Sequence, residues 1–237
     1  MNFMEIIGYS ERGAMNALFY GMSYDKTNGN EAMNAFLKLA GFHSENFKEF
    51  ELYMEFSLSE FGDPDLVIIA EDNKNEKTLF FVEAKASCHH KFDLKRQEDK
   101  HKEYVIEGRK HNNGDSSNLF FQLRLKNYFI DVITSQNENN NRPECILNSR
   151  KKRRQYGKNT IVIKFVDKLK EVKNIEYIAI IPKQLNEINI NNDYGFDIHF
   201  VTWEDIYNQD KFKAYLKETI EFNGGNTHQI FNNKLGR

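Results

Sequence analysis

A chain of 237 residues that is 40% hydrophobic and 29% charged can bury a full core and is short enough to form a single domain. Its formal net charge of −2 excludes nucleic-acid binding by bulk positive charge, so any contact with a polyanion must be local. Two cysteines, Cys88 and Cys145, make no disulfide framework, and no apolar run approaches the roughly 20 residues that a membrane span requires. The start, MNFMEIIGYSERG, lacks the basic and apolar regions of a secretion signal, so the expectation is a soluble, cytoplasmic protein with no membrane partner.

In chain order, Ser10 is placed to cap a helix in which Ala14, Met15, Leu18, Phe19 and Met22 recur at helical spacing, from about Glu11 to Tyr20. Asp25 to Asn30 breaks it. Ala32, Met33, Phe36, Leu37 and Ala40 then predict a second helix that stops at Gly41. Phe50 to Leu58 alternates apolar and polar residues and predicts a strand. Leu66 to Ala70 and Leu79 to Ala84 are apolar runs of strand length, separated by the charged stretch Glu71 to Lys77, which predicts a β-hairpin.

The charged stretch from Ser87 to Lys110 carries no assigned element, and Cys88-His89-His90 reads as a polar turn, with zinc binding the lesser alternative. From Leu119, FFQLRLKNYFIDVI predicts a helix that presents Gln122 and Lys126 on one face, with Arg124 nearby. Residues 136–158 have no periodicity and read as a long mobile loop carrying Arg150, Lys151, Lys152, Arg153 and Arg154 in succession. Ile161 to Val166, Tyr177 to Ile181 and Phe196 to Val201 predict three more strands. Thr202 is a candidate cap, and Phe212, Tyr215, Leu216 and Ile220 mark a final helix before a polar tail, 223–237. This order predicts one α/β domain over 1–222, with a central mixed β-sheet flanked by helices on both faces.

The hairpin concentrates the chemistry. Folded about Asn73 and Lys74, it pairs residues whose numbers total 148, which sets Asp65 opposite Glu83 with Cβ atoms roughly 5 Å apart. Glu83 and Lys85 point to the same face, so two carboxylates and an amine converge. Gathering carboxylates in a half-buried place is costly without a cation, and hard oxygen ligands suit Mg²⁺ or Mn²⁺. A slip of one residue moves Asp65 to the opposite face. The alternative is a surface hairpin in which Glu83 and Lys85 form a solvated ion pair of little energetic weight.

Pro64-Asp65, followed at the end of the next strand by Glu83-Ala84-Lys85, resembles the PD-(D/E)XK nuclease superfamily. The resemblance implies a restriction endonuclease-like α-βββ-α-β core and a Mg²⁺-dependent nuclease acting on nucleic acid, with DNA the expected substrate. It implies that Asp65, Glu83 and the carbonyl of Ala84 hold Mg²⁺ or Mn²⁺, and that Lys85 orients or activates the attacking water. It further implies an acidic ligand from an N-terminal helix, for which Glu11 is the candidate and Glu31 and Glu55 are rivals. Gln122 is expected to face the site. Arg124, Lys126 and the Arg150 to Arg154 cluster are candidates for phosphate contacts, against the plain alternative of solvated surface. Trp203 reads as core. One cut per chain favours a homodimer for double-strand cleavage, and the rival reading is a catalytically inactive binding module with the same fold.

Overall fold

The computed structural model describes residues 11–44, 46–86, 92–105, 117–135, 159–182 and 195–222. The expected loop at 136–158 with its basic cluster, the Cys88-His89-His90 turn and the tail at 223–237 lie outside the described residues.

Two helices open the chain, α1 (Glu11–Tyr24) and α2 (Gly29–Leu39). The carboxylate of Asp25 accepts from the backbone N–H of Thr27 and Asn28 in the turn between them. Gly41 closes α2 with a left-handed φ of 102°, a conformation that costs glycine little. Strand β1 (Phe47–Met54) follows, pinned to α2 by the side chain of Asn34, which accepts from Phe47 N–H and donates to Phe47 O, both at 2.8 Å. The strand starts and ends earlier than its alternation predicts. Glu55 takes a left-handed φ of 48° after a last cross-strand bond from its N–H to Asp65 O at 3.1 Å, and Leu58 is buried ahead of a short 3-10 turn, Ser59–Phe61.

The hairpin forms as expected, from β2 (Leu66–Asp72) and β3 (Lys77–Ala84). Its antiparallel pairs run from Leu66 opposite Val82 to Glu71 opposite Lys77, the register expected from the sequence. Asp72 sets the turn: its Oδ1 accepts from the N–H groups of Lys74 and Glu76, while Asn75 takes a left-handed φ of 62°.

Beyond the hairpin come α3 (Leu94–Val105), α4 (Leu119–Ser135) and α5 (Thr160–Leu169). Helix α3 emerges from the charged stretch left unassigned in the sequence. Asp93 accepts from Arg96 N–H at its start, and Leu94, Glu98 and His101 fall on one buried face. Helix α5 overturns the strand expected at Ile161 to Val166. Asn159 caps it by accepting from Ile161 N–H, and Val162, Phe165 and Leu169 are buried while Ile161 and Ile163 are exposed. That spacing is helical, so the apolar period prevails over the β-branched composition.

The chain then returns through β4 (Val172–Ile181) and β5 (His199–Thr202). The helix that Thr202 caps and the final helix follow as α6 (Trp203–Asn208) and α7 (Asp210–Phe222), separated by an extended Gln209. Thr202 caps α6 as the sequence indicates, accepting from Asp205 N–H at 3.0 Å.

The five strands form one open mixed sheet in sequence order, antiparallel from β1 to β3 and parallel from β3 to β5. Side chains alternate across it. Leu66, Ile68, Phe80, Val82, Ile178 and Ile180 pack against α1, α2, α6 and α7. Val67, Ile69, Leu79, Phe81, Ala179 and Ile181 pack on the other face against α3, α4 and α5. Both faces are covered, which is why the central strands read as continuous apolar runs. Among the described residues no helix is long and apolar enough to cross a membrane.

Candidate functional site

At the end of the sheet where β2 begins and β3 finishes, the apolar pattern is replaced by charge. Carried one residue past the Leu66/Val82 pair, the hairpin register sets Asp65 against Glu83. Their strands are joined there by a hydrogen bond: the N–H of Ala84 donates to Asp65 Oδ2 at 2.8 Å. Glu83 belongs to the face covered by α4, in line with Leu79 and Phe81.

Glu83 is wholly buried, and the ammonium of Lys126 on α4, itself 1% exposed, lies 2.6 Å from its Oε1. The contact is an ion pair, and neither oxygen of Glu83 meets a donor with hydrogen-bond geometry among the described residues. Burial, reinforced by the negative charge of Asp65, pushes the Glu83 carboxyl up to about 7, against the pull of Lys126 and Lys85. A buried acid that burial pushes towards its neutral form, with an unmatched oxygen, marks a place where positive charge is in short supply.

Lys85 continues the β3 ladder by one bond, its N–H donating to Ile180 O at 2.8 Å. Its carbonyl accepts from the indole N–H of Trp203 at 3.0 Å, so the first residue of α6 anchors the backbone that carries the lysine. The Lys85 ammonium donates to Ala84 O at 2.7 Å and lies 3.6 Å from Glu11 Oε1. Burial pulls its pKa down, but Glu11, Asp65 and Glu83 outweigh burial and hold it above the ordinary lysine value. Lys85 is therefore a fixed cation at neutral pH.

Glu11 opens α1 and reaches the same strand end, accepting from Ala86 N–H at 2.8 Å. Burial raises its pKa, with Asp65 adding to the rise and Lys85 opposing it. The two rivals are engaged elsewhere: Glu55 pairs with Arg12 at 2.6 Å, and Glu31 pairs with Lys211. Among the described residues no three His, Cys, Asp or Glu side chains gather into a group able to hold a metal ion, so Glu11 does not join Asp65 and Glu83 in a common cage. Asp65 Oδ2 accepts from Ala84 N–H, Glu83 Oε1 pairs with Lys126 and the Ala84 carbonyl accepts from Lys85, while Glu83 Oε2 has no hydrogen-bond partner among the described residues.

Gln122 lies one turn before Lys126 on α4, and its Oε1 is buried without a hydrogen-bond partner among the described residues. Lys126, a candidate for phosphate contact on the face it shares with Gln122, is instead a core residue paired with Glu83. Arg124 is half-buried, and its charge acts on His101 and Asp131. Arg150, Lys151, Lys152, Arg153 and Arg154 lie outside the described residues. The solvated Glu83–Lys85 pair is not formed, since each takes a different partner.

Two of these contacts join residues far apart in sequence. Lys126 occupies a core position among Leu119, Leu123, Phe129 and Ile130, so a lone cation in an apolar stripe was the available signal of a buried anion. Trp203 was read as core, and it is, but its indole N–H also required an acceptor. Comparison with protein-family models, curated proteins and solved structures finds no match to this chain.

Proposed function

We propose that this chain is a metal-dependent nuclease of the PD-(D/E)XK type that hydrolyses phosphodiester bonds, with DNA as its substrate. The observation that carries the reading is Glu83: a fully buried acid with an unmatched oxygen, set beside Asp65 where two adjacent strands end, with a buried lysine two residues on. Asp65, Glu83 and the Ala84 carbonyl supply hard oxygen donors suited to Mg²⁺ or Mn²⁺. Bound there, such an ion lowers the pKa of its water and polarises a phosphoryl oxygen.

The remaining chemistry falls to this chain's own groups. The Lys85 ammonium, kept charged by its three acidic neighbours, stabilises negative charge that develops on the phosphate oxygens. Its place is fixed through the backbone by Ile180 and Trp203, so little reorganisation is needed during the reaction. Gln122 Oε1 is an acceptor suited to orienting a water molecule.

A second reading, an inactive binding module, draws support from Lys126, which partly compensates Glu83 without any metal. The two part on turnover. Linear, circular and single-stranded DNA and RNA are incubated with Mg²⁺ or Mn²⁺ and the native, Glu83→Gln and Lys85→Ala proteins. The nuclease reading expects cleavage by the native protein and its loss in both variants. Cleavage unchanged in either variant would show that the site is wrongly assigned, and binding without cleavage favours the module.

A further inference from the structure

Lys126 has no role in the chemistry above, yet its ammonium is buried to 1% exposure and touches the acid most suited to a cation. Burying an ammonium is costly and a lysine seldom accepts it without a counter-charge. Here the ammonium sits 2.6 Å from Glu83 Oε1, while Oε2 is left unmatched. Its other flank is closed by Gly62, where an added Cβ would lie 3.5 Å from Nζ. Gly62 holds a left-handed φ of 81°, which favours glycine, and the loop entering Pro64-Asp65 runs in ordinary contact with the ammonium.

We propose that Lys126 is a built-in counter-ion that occupies the Glu83 side of the cation site, so that a divalent ion binds only by displacing its ammonium. This rests on the reading of Asp65 and Glu83 as cation ligands. Two positive charges cannot share one buried carboxylate without strong repulsion, and the lysine stem is flexible enough to withdraw. The lysine stabilises the cation-free fold and opposes metal binding, and by linkage the metal opposes the lysine's contact to the same degree. Lys126 thus positions Glu83 and sets the cation concentration at which the site fills.

The test is calorimetric titration of Mn²⁺ at pH 8.5, where protons compete least, into native, Lys126→Met and Lys126→Gln proteins, with melting curves in EDTA and in Mn²⁺. Both variants are expected to bind Mn²⁺ at least about tenfold more tightly than the native protein, to melt lower in EDTA, and to gain more from Mn²⁺. A Glu83→Gln/Lys126→Met double variant, which removes both charges, is expected to show no Mn²⁺ stabilisation. Affinity equal to or below native in the single variants overturns the proposal. So does Mn²⁺ stabilisation of the double variant equal to that of Lys126→Met, or failure of both single variants to fold even with Mn²⁺ present. Cleavage by the native protein together with unchanged Mn²⁺ affinity in the variants removes the counter-ion role alone. Tighter Mn²⁺ binding without cleavage of any nucleic acid removes the nuclease reading alone.

Discussion

The carboxylate of Asp65 accepts a hydrogen bond from the backbone N–H of Ala84 at 2.8 Å, so the acid before β2 is clamped to the residue between the acid and the lysine that end β3. Asp65 therefore has a structural task beside any chemical one. Asp65→Ala leaves the Ala84 N–H without its partner and is expected to lower stability by about 1–3 kcal/mol. Asp65→Asn keeps an acceptor there and is expected to melt near native while binding Mn²⁺ far more weakly. Equal stability of the two variants in chemical denaturation would count against the clamp.

Lys85→Ala and Lys85→Arg separate charge from shape. Removing a preorganised cation from a buried site is expected to slow cleavage by about a hundredfold or more. Lys85→Arg keeps the charge but not its compact geometry, and should recover only part of the rate. Full activity in Lys85→Ala, measured on the same DNA under single-turnover conditions, would remove the lysine from the mechanism.

Trp203 controls that lysine from a distance in the chain. Its indole N–H donates to the Lys85 carbonyl across 118 positions of sequence. Trp203→Phe retains most of the ring's packing and deletes the donor, with an expected loss of about 1–3 kcal/mol. The rate of cleavage should fall while Mn²⁺ affinity changes little, because the acids are positioned by the hairpin. A matched fall in both would mean that the indole supports the whole site.

Two buried groups give the stability an opposed dependence on pH. Burial, aided by Asp65, raises Glu83 to about 7, so between its ordinary value of 4.5 and 7 the folded protein holds a proton that the unfolded chain has released. Its contribution is present below 4.5 and is lost as pH rises through 7. His101 is the reverse: burial first, then the charge of Arg124, lowers it to about 4, against the pull of Glu98. Its contribution is present above 6.5 and is lost as pH falls through 4. Each has a limiting slope of about 1.4 kcal/mol per pH unit. Between 4.5 and 6.5 they offset one another, so Glu83→Gln should add sensitivity to acid and His101→Leu should add sensitivity to rising pH. Denaturation of the three proteins across that range is the measurement, and parallel curves would contradict the assignment.

The sequence alone determined the hairpin and its register. A short charged turn joins two apolar runs, and Asp72 with the left-handed Asn75 fixes the fold-back within a few residues. It also marked α1, α2, α4 and the Thr202 cap, where apolar spacing or a capping residue acts over one or two helical turns. It pointed to a strand at α5, because the β-branched run Thr160-Ile161-Val162-Ile163 outweighed the spacing of Val162, Phe165 and Leu169. Only the tertiary structure decided the partners of the charged groups. Glu11 reaches Ala86 across 75 positions, Trp203 reaches Lys85 across 118, and Lys126 meets Glu83 only because α4 packs on the odd-numbered face of β3. Local hydrogen bonds and periodicity are written in neighbouring residues. The choice of counter-charge for a buried acid depends on which distant helix covers it, and no local pattern encodes that.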